Sequence, residues 1–529
     1  MRVLLVGHGA REHAIARRLK REGHAVHGYV LRENPGLARE CDSCHVGPYE
    51  AKRIVQVAGR IGAECVFPCS EAAIFSGLAD LCAQHKLFCF GPTKAAARLE
   101  SDRVFARDIV RRLSPGMLCP GREIRDAEAL EEFLEEGHSV VVIKALDGSP
   151  VCVLDASAAR TWRQFPALVE RFTPGVDFSL YCLTQGERAH FAGVVLDYPF
   201  LRPLGYEKTG GMGALYQPGV PAPVTSMDVR RCTELLRAVL RSMSARGCRY
   251  QGVLVGQFRR APHRVYFTEF DVKPGDPEFA AVLAAMASPL GSLIQRSVSA
   301  PKRLRMRRVT TAALTFAPPK YPGRSTAEER PRAPFAEIDR PNLLIGDVRA
   351  RGKHFICGTS RAAVAVGTGP SPREAMTDAL TGNEDLAESF QFRSDIVSTD
   401  RVFEIEHYFV HDRQGIRAQI LHEPRACPAC GKEDLTHFGS RWRVVHDIPI
   451  HGAPVAVRVC TRRYRCRRCA HAFFEHPPGV DGRRSMTLRL GRWIAQEALA
   501  KPVLRIAREV GMTEGAIRAL LRAQSHKPD

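Results

Sequence analysis

The sequence predicts an α/β protein with a small metal-binding domain near its C-terminal end. Short apolar segments alternate with helical patterns through residues 1–100, which is typical of a doubly wound sheet. A strand near residue 270 carries two carboxylates and ends in a Pro-Gly turn. Two Cys-x-x-Cys pairs lie far downstream. These observations indicate a phosphate- and metal-binding body followed by a zinc-binding module.

The length and composition are typical of a soluble globular protein. The 529 residues are enough for about three or four domains. Apolar residues make up 45% of the chain, yet no uncharged apolar run approaches the roughly 20 residues that span a bilayer. The N-terminal residues have the pattern of a strand and turn, not of a signal peptide. We therefore expect a cytoplasmic protein whose 17 cysteines are reduced or metal-bound.

Positive charge is concentrated at the C-terminal end. The formal net charge is +20, and residues 427–529 hold 19 Lys and Arg against 9 Asp and Glu. A basic segment of this kind favours a polyanionic partner such as nucleic acid. A solubilising basic surface would have the same composition, so the charge alone does not decide between them.

The first βα unit predicts a phosphate-binding loop. An apolar strand at residues 3–6 leads into Gly7 and Gly9, which precede a helix. Glycines at such a junction let backbone amides approach a phosphate, and the helix N-terminus also favours the negative charge. Further strands are predicted at residues 65–67 and 87–90.

Residues 266–278, YFTEFDVKPGDPE, predict the metal site of the body. Alternation places Glu269 and Asp271 on one face of a strand, at the end where the Pro-Gly turn diverts the chain. Two carboxylates on a rigid support suit a divalent cation that bridges phosphate oxygens. A salt-bridged strand edge would have the same pattern. The upstream motif KTGGMGA at residues 208–214 favours the ligand-binding interpretation.

The C-terminal region begins with a predicted hairpin at residues 402–410 and 416–421 and continues with two cysteine knuckles. The knuckles are separated by 35 residues, a spacing typical of a tetrahedral zinc ribbon. The four zinc ligands would be Cys427, Cys430, Cys466 and Cys469. Nearby side chains that the spacing does not assign to the metal are His446, Cys460 and His471.

Two amphipathic helical patterns follow, at residues 503–510 and 514–521. Gly511 suits the short turn between them, and Thr513 suits a helix N-cap. The spacing predicts a helix-turn-helix, with an ordinary αα-hairpin as the alternative. The outward residues of the second helix that would reach DNA phosphates or guanine edges are Arg518 and Arg522.

Five segments within residues 1–400 together resemble phosphoribosylamine–glycine ligase. They occur in that family's order and approximate spacing, and they read GHGAREHAI, GPTKAAARLESDRVFARD, VVIKALDG, KTGGMGA and EFDVKPGDPE. A closing stretch from residue 358 to 396 resembles the family's C-terminal domain. The resemblance implies an ATP-dependent ligase of purine biosynthesis that joins glycine to phosphoribosylamine. It also implies a preATP-grasp domain at residues 1–103, an ATP-grasp α+β body at 104–305 and a C-terminal domain at 306–400.

The resemblance also implies roles for individual residues. Those that would hold phosphoribosylamine or its product are Gly7, Gly9, Arg11, Glu12 and Glu71. Those that would bind ATP are Arg103, Lys144 and Glu170. Residues 210–213 would form a substrate loop, with Gly211 and Gly213 as its site residues. Lys273 would contact the transferred phosphate. Those that would bind Mg²⁺ or Mn²⁺ are Glu269 and Asp271. The chemistry needs no covalent enzyme group, so the protein would supply positioning and charge neutralisation.

The sequence departs from the family pattern in the segment that follows Lys144. The family has a glycine-rich loop with a second lysine there, whereas residues 145–170 contain one glycine and no lysine. Because that loop closes over the ATP phosphates, its shortening predicts weakened turnover. Asp271 replaces the family's usual asparagine at the metal, and Lys273 replaces its usual arginine at the phosphate.

Residues 402–523 resemble the N-terminal region of ISL-three-type insertion-sequence transposases, through HDIPIHGAPVAVRV and RRYRCRRCAHAFFE. This second resemblance implies a zinc ribbon at residues 401–480 and a helix-turn-helix at 481–529, both directed at double-stranded DNA. No nuclease domain follows, so we expect no transposition chemistry. Three hypotheses result: a DNA-tethered ligase, a ligase-like DNA-binding regulator, and an ATP-grasp enzyme that modifies a nucleic-acid base. We favour the first.

Overall fold

The computed structural model contains two compact units, one of residues 1–172 and 176–397 and one of residues 173–175 and 398–529. It describes the whole chain except residues 137–139, 147–150, 174, 186–187, 202–208, 222–223, 262–263, 296–303, 323–338, 353, 394–395, 397–409, 413–414, 420–423, 425, 451–452, 478, 483, 499–500 and 526–529. No helix of the described part combines the length and the apolar character that crossing a bilayer requires.

The first unit begins with the predicted doubly wound arrangement. Its four-stranded parallel sheet has the order β3-β2-β1-β4. The elements are β1 (Arg2–Val6), α1 (Ala10–Arg21), β2 (Ala25–Val30), α2 (Pro35–Glu40), β3 (Ser43–Val46), α3 (Ala51–Ile61), β4 (Cys65–Pro68), α4 (Glu71–Phe75), α5 (Leu78–Gln84) and α6 (Lys94–Ser101). The strand predicted at residues 87–90 is reduced to a single bridge between Val66 and Cys89.

A small antiparallel sheet follows, with the order β5-β8-β6-β7. Its elements are α7 (Arg103–Leu113), β5 (Gly121–Ile124), α8 (Ala127–Glu135), β6 (Val140–Ala145), β7 (Cys152–Asp155), α9 (Ala156–Ala159) and β8 (Ala167–Arg171). Phe133 on α8 packs with Val141, Ile143 and Val169 of the sheet. This packing fixes the ends of β6 and β8, where Lys144 and Glu170 lie.

An eight-stranded sheet forms the centre of the first unit, with the order β13-β12-β9-β10-β11-β14-β18-β15. Its strands and surrounding elements are β9 (Val176–Gln185), β10 (Arg188–Asp197), β11 (Gly213–Tyr216), α10 (Ser226–Ala245), β12 (Gln251–Arg260), β13 (Val265–Asp271), α11 (Glu278–Ala285), α12 (Leu290–Leu293), β14 (Thr310–Phe316), β15 (Leu343–Ile345), β16 (Val348–Arg351), β17 (His354–Cys357), β18 (Ala363–Gly369), α13 (Pro372–Leu380) and α14 (Glu384–Ser389). Helix α11 packs on the sheet with an apolar core that includes Phe279 and Tyr181.

The second unit contains a five-stranded sheet, which includes one long antiparallel hairpin, and three helices. Its elements are β19 (Val410–Asp412), β20 (Gly415–Gln419), β21 (Leu435–Ile450), β22 (Ala453–Cys466), β23 (Ala472–Phe474), α15 (Leu488–Glu497), α16 (Val503–Val510) and α17 (Glu514–Ser525). Leu490, Ile494, Ile506, Val510 and Ile517 give the three helices a shared buried core. The hairpin predicted from residue 402 is described only as β19 and β20, because residues 402–409 lie outside the described part.

Candidate functional site

Strand β13 carries the predicted metal-binding pair to the junction of two cavities. Glu269 pairs in register with Gln257 of β12, and Asp271 pairs with Val255. Asp271 is the last residue of the strand, as the turn at Pro274 and Gly275 predicts. Both carboxylates line both cavities, so a group held by them would face each cavity at once. The oxygen donors fit a hard divalent cation such as Mg²⁺.

The first cavity has a volume of about 700 Å³ and lies where the N-terminal sheet meets the central sheet. The predicted site residues that line it are Gly7, Gly9, Arg11, Glu12, Glu71, Gly211, Glu269, Asp271 and Lys273. Gly213 is not among them, because it begins β11 and is buried against Ile396. Its role is therefore to allow close packing behind the substrate loop.

The second cavity has a volume of about 450 Å³ and lies between the small sheet and β13. It brings together the three residues assigned to ATP, which are Arg103, Lys144 and Glu170. Apolar side chains close it as well, among them Leu118, Leu168 and Phe267. Charged and apolar side chains line this cavity in about equal number, which suits a ligand with a charged phosphate end and a flat base.

Lys144 and Glu170 form a buried ion pair in the second cavity. Lys144 Nζ lies 3.0 Å from Glu170 Oε2 and donates a hydrogen bond of 2.7 Å to the carbonyl of Thr268. Arg107 also pairs with Glu170 and donates to the carbonyl of Cys119. The sequence reasoning missed Arg107. The sequence pattern that could have identified Arg107 is its position among the apolar residues of α7. A buried charge there is unfavourable without a partner, so the position predicts an ion pair.

Lys273 lies among three carboxylates at the other side of β13. Its Nζ is 2.8 Å from Glu71 Oε1, 2.6 Å from Glu100 Oε1 and 3.6 Å from Asp271 Oδ1. Burial alone would disfavour the charge of Lys273, but the charges of Glu100, Asp271 and Glu71 outweigh it and raise the pKa of the lysine. Burial raises the pKa of Glu100 to about 7, against the opposing effect of Lys273. Glu100 was also missed from the sequence.

The loop after β1 is shaped by the carboxylate of Glu12. It accepts hydrogen bonds of 2.6 Å from the backbone amide of Gly9 and from Arg11 Nη2. A side chain at Gly7, whose φ is +144°, would collide with this carboxylate. Arg11 Nη1 donates to the carbonyl of Pro274, so the loop is tied to the turn after β13.

The substrate loop is held by Arg361, which the sequence reasoning also missed. Arg361 donates to the carbonyls of Gly210, Gly211 and Asp276, and to Asp276 Oδ2 at 3.0 Å. Gly211 has a φ of +109°, and a Cβ there would lie 2.8 Å from the Asp276 carbonyl. Only glycine fits this close approach. Lys208 of the same motif lies outside the described residues.

Two further acidic groups line the first cavity with raised pKa values. Burial and the neighbouring Glu278 carboxylate raise the pKa of Asp197 well above its ordinary value. One oxygen of Asp197 accepts from the Ser179 hydroxyl, and the other has no partner among the described residues. Burial raises the pKa of Glu278 to about 7. The cavity therefore contains one carboxyl group, that of Glu278, whose pKa is close to neutral.

The four predicted zinc ligands converge in the second unit. Their sulfur atoms all lie within 4.8 Å of one another, with 3.7 Å between Cys427 and Cys469 and 3.6 Å between Cys430 and Cys466. Tetrahedral zinc with Zn–S bonds of about 2.3 Å places its sulfurs about 3.8 Å apart, so the cluster fits the metal. Backbone amides, with that of Cys469 foremost, lower the pKa of Cys466 to about 7.

The two helices predicted at the end of the chain are present as α16 and α17. Gly511 ends α16 in the left-handed conformation, and the Thr513 hydroxyl accepts from the backbone amide of Ala516. Arg518 is more than half exposed and pairs with Glu514, while Arg522 is also exposed. Both arginines therefore lie on the solvent side of α17.

Comparison with protein families matches three parts of the chain. Residues 1–100 match the model described as "Phosphoribosylglycinamide synthetase, N domain", and residues 104–279 match "Phosphoribosylglycinamide synthetase, ATP-grasp (A) domain". Residues 423–469 match "zinc-finger of transposase IS204/IS1001/IS1096/IS1165". The zinc ribbon inferred from the two cysteine pairs is thereby confirmed.

Curated relatives cover the same region. The phosphoribosylamine–glycine ligase of Mycobacterium bovis is 30% identical over 396 residues, which is 70% of this chain and 91% of that protein. The ligase of the same name from Thermococcus gammatolerans is 29% identical over 413 residues, or 71% of this chain and 90% of that protein. That from Streptomyces coelicolor is 28% identical over 427 residues, or 75% and 99%.

Solved structures confirm the ATP-grasp fold. The Thermotoga maritima phosphoribosylamine–glycine ligase superposes with a TM-score of 0.60 at 23% identity, covering 74% of this chain and 98% of that one. The biotin carboxylase of Campylobacter jejuni, solved as a beta-gamma-ATP complex, gives a TM-score of 0.55 at 13% identity, covering 74% of this chain and 92% of that one. At these identities the likeness concerns the fold alone.

Proposed function

This chain belongs to the phosphoribosylamine–glycine ligase family, and from that premise we propose that it catalyses the ATP-dependent joining of glycine to phosphoribosylamine. The observation that carries the proposal is the position of Glu269 and Asp271. They line both the cavity with Lys144 and Glu170 and the cavity with the Gly7 to Glu12 loop. A phosphoryl group that passes from one substrate to the other has to cross this junction.

The proposed reaction transfers the γ-phosphoryl group of ATP to the carboxylate of glycine. The amine of phosphoribosylamine then attacks the resulting acyl phosphate, a C–N bond forms, and phosphate leaves. Mg²⁺ held by Glu269 and Asp271 would neutralise the phosphate oxygens. Lys144 and Arg103 would hold ATP in the second cavity, and Lys273 would contact the transferred phosphate. The protein thus contributes orientation and charge, not a covalent group.

The first cavity offers the features that an amine nucleophile requires. Gly7, Gly9 and Arg11 would receive the sugar phosphate, because the loop lies at the N-terminus of α1. Gly211 would let the substrate loop approach the acyl phosphate. The attacking amine loses a proton when the C–N bond forms, and Glu278 is a carboxyl group of the same cavity whose pKa is about 7. A base with a pKa near the working pH suits the acceptance of that proton.

The proposal is tested by phosphate release with ATP, glycine and phosphoribosylamine. We expect phosphate release that requires all three substrates, and loss of at least about 100-fold in rate for Glu269→Ala, because the phosphate charge would lose its metal. Glu128→Ala is the matched control, since Glu128 is exposed on α8. Equal rates for wild type and Glu269→Ala would contradict the proposal.

A ligase-like regulator is the second candidate function, and the short segment after Lys144 favours it. With one glycine and no lysine in residues 145–170, a closing phosphate loop has little chain to form from. In that case the first unit would bind nucleotide or sugar phosphate without turnover. The same phosphate assay separates the candidates, since the regulator binds ATP in calorimetry but releases no phosphate.

We further propose that the second unit binds double-stranded DNA and tethers the ligase to it. The zinc ribbon, the excess of basic residues and the exposed Arg518 and Arg522 support this role. The proposed division of the chain is into residues 1–103, 104–305, 306–400, 401–480 and 481–529. A base-modifying enzyme would need the same tether, but it would release phosphate in the presence of nucleic acid instead of phosphoribosylamine.

A further inference from the structure

Two phenylalanine rings and two guanidinium groups alternate on the zinc ribbon. The Arg463 guanidinium lies 4.7 Å from the ring centre of Phe438 and 5.6 Å from that of Phe474. The Arg441 guanidinium lies 3.9 Å from the ring centre of Phe474. We call these four residues the arginine–phenylalanine stack. Such cation–π contacts hold long arginine side chains in place beside the rings.

Strand register explains why the four side chains meet. Arg463 lies directly opposite Phe474 in the β22–β23 pair, and Arg441 lies opposite Thr461 in the β21–β22 pair. Thr461 and Arg463 are two residues apart on β22, so their side chains point to one face of the sheet. Phe438 falls in the bulge where the β21 register shifts, which re-aims its side chain.

The stack is exposed and positively charged. Phe438 keeps 45% of its surface exposed, and Arg441 and Arg463 are exposed as well. Among the described residues, neither guanidinium forms an ion pair with a carboxylate. Arg462 is the contrast, because its charge is held in a buried pair with Glu475 at 2.8 Å. The ribbon from 427 to 477 also has nine Lys and Arg against four Asp and Glu. A negatively charged partner is therefore favoured.

The exposed ring of Phe438 indicates which kind of negatively charged partner fits the stack. Contacts to duplex phosphates need cations but not aromatic surface, and the bases of a duplex are already stacked on one another. Unpaired bases, by contrast, stack on aromatic rings and on guanidinium planes, while arginines meet the phosphates between them. An exposed ring flanked by unpaired guanidinium groups matches this second arrangement.

We propose that the arginine–phenylalanine stack binds unpaired nucleotides of single-stranded DNA. The choice of DNA over RNA rests on the proposed function, because the same unit carries the proposed duplex-DNA helices. The stack would then bind melted or terminal nucleotides, and α17 would bind the duplex. Neither of these binding roles requires the ligase activity of the first unit.

The test measures binding of the zinc-loaded full chain to a labelled oligothymidylate of about 20 nucleotides, a matching oligouridylate and a duplex of equal length. We expect Phe438→Ala and Arg463→Ala each to weaken oligothymidylate binding by about 5- to 100-fold, with duplex binding changed by less than about 2-fold. Arg463→Lys keeps the charge but loses the plane, so it should lose most of the same affinity. Phe438→Trp should retain it.

Trp442→Ala is the matched control. Trp442 is equally exposed and has an arginine neighbour, Arg458, but it lies on the opposite face of β21 from Arg441. Zinc content measured for every variant shows that the ribbon is intact. The inference is overturned if Phe438→Ala binds oligothymidylate normally, if Trp442→Ala loses the binding instead, or if oligouridylate binds more tightly. Stack-dependent oligothymidylate binding without any duplex binding would refute the duplex tether and leave the stack assigned.

Discussion

Lys144 Nζ lies 3.0 Å from Glu170 Oε2, and both side chains are almost fully buried. The two residues lie on neighbouring antiparallel strands of the small sheet, where Glu170 is opposite Val142, two residues from Lys144, and both line the same 450 Å³ cavity. Lys144, which would bind ATP, is thus already held in position by Glu170, which is also assigned to ATP. A buried cation pre-positioned in this way binds a phosphate without first losing side-chain entropy.

The first prediction concerns this lysine. Lys144→Ala should weaken ATP binding by about 2–3 kcal/mol, because a charge-assisted contact to a desolvated phosphate is lost. Isothermal titration calorimetry measures the change, and Lys52→Ala on the exposed face of α3 is the control. Unchanged ATP affinity in Lys144→Ala would exclude the assigned role.

The second prediction concerns Arg107, whose guanidinium pairs with Glu170 at 8% exposure. Arg107→Ala should destabilise the first unit by about 3–5 kcal/mol, since a buried carboxylate loses one of its two cations. Urea unfolding measures the loss. Arg111→Ala, on the same helix but 56% exposed, should change the free energy of unfolding by less than about 0.5 kcal/mol. A small effect in both variants would show that Lys144 alone compensates Glu170.

Much of the site could be predicted from the sequence, because its residues lie at strand ends and in glycine loops. The pair on β13 follows from alternation and from the turn at Pro274, and the zinc ligands follow from spacing. Arg107, Glu100 and Arg361 could not be predicted in the same way. Each is a single charged residue whose partner lies far along the chain, 63 residues from Arg107 to Glu170 and 85 from Arg361 to Asp276. Only the fold brings such pairs together.

The same limit applies to strand pairing. The apolar run at residues 87–90 has the composition of a strand, yet it makes one bridge to Val66 because the chain turns at Gly91, whose own close neighbour is Pro68. Similarly, the alternating runs at residues 442–445 and 455–460 predict two short strands. They belong to one hairpin of 16 and 14 residues, with a bulge that no period-2 pattern marks.

The third prediction uses the pKa of Glu278, which burial raises from 4.5 to about 7. Between these values the folded state binds more protons than the unfolded state, so stability falls as the pH rises through this range. In Glu278→Gln, the free energy of unfolding that is lost as the pH rises through this range should be smaller by about 2–3 kcal/mol. Hydrogen exchange of β13 between about pH 5 and pH 8 reports it, with Glu128→Gln as the control. A slope equal to that of the wild type would show that Glu278 titrates normally.

The fourth prediction concerns zinc. Cys466→Ser should reduce zinc content from about one ion per chain to nearly none and should unfold the ribbon, because the binding energy of a structural zinc is folding energy. Cys460→Ala is the control, since Cys460 lies on β22 outside the four-sulfur cluster. Metal analysis and circular dichroism before and after chelation measure the outcome. Retention of zinc by Cys466→Ser, or its loss from Cys460→Ala, would require a different ligand set.

The last prediction concerns duplex DNA. Among the described residues, Arg518 forms an ion pair with Glu514 alone. Because exposed ion pairs contribute little to stability, Arg518 can exchange this partner for a DNA phosphate. The double substitution Arg518→Ala and Arg522→Ala should therefore weaken duplex binding and reduce the dependence of log Kd on log salt by about 2, one for each lost phosphate contact. Fluorescence anisotropy of the full chain at several salt concentrations measures both quantities. The double substitution Arg349→Ala and Arg373→Ala, at exposed positions of β16 and α13 in the first unit, removes the same two charges and controls for net charge. If the control lowers the slope equally, the binding is nonspecific attraction to the whole basic chain and α17 has no special part in it.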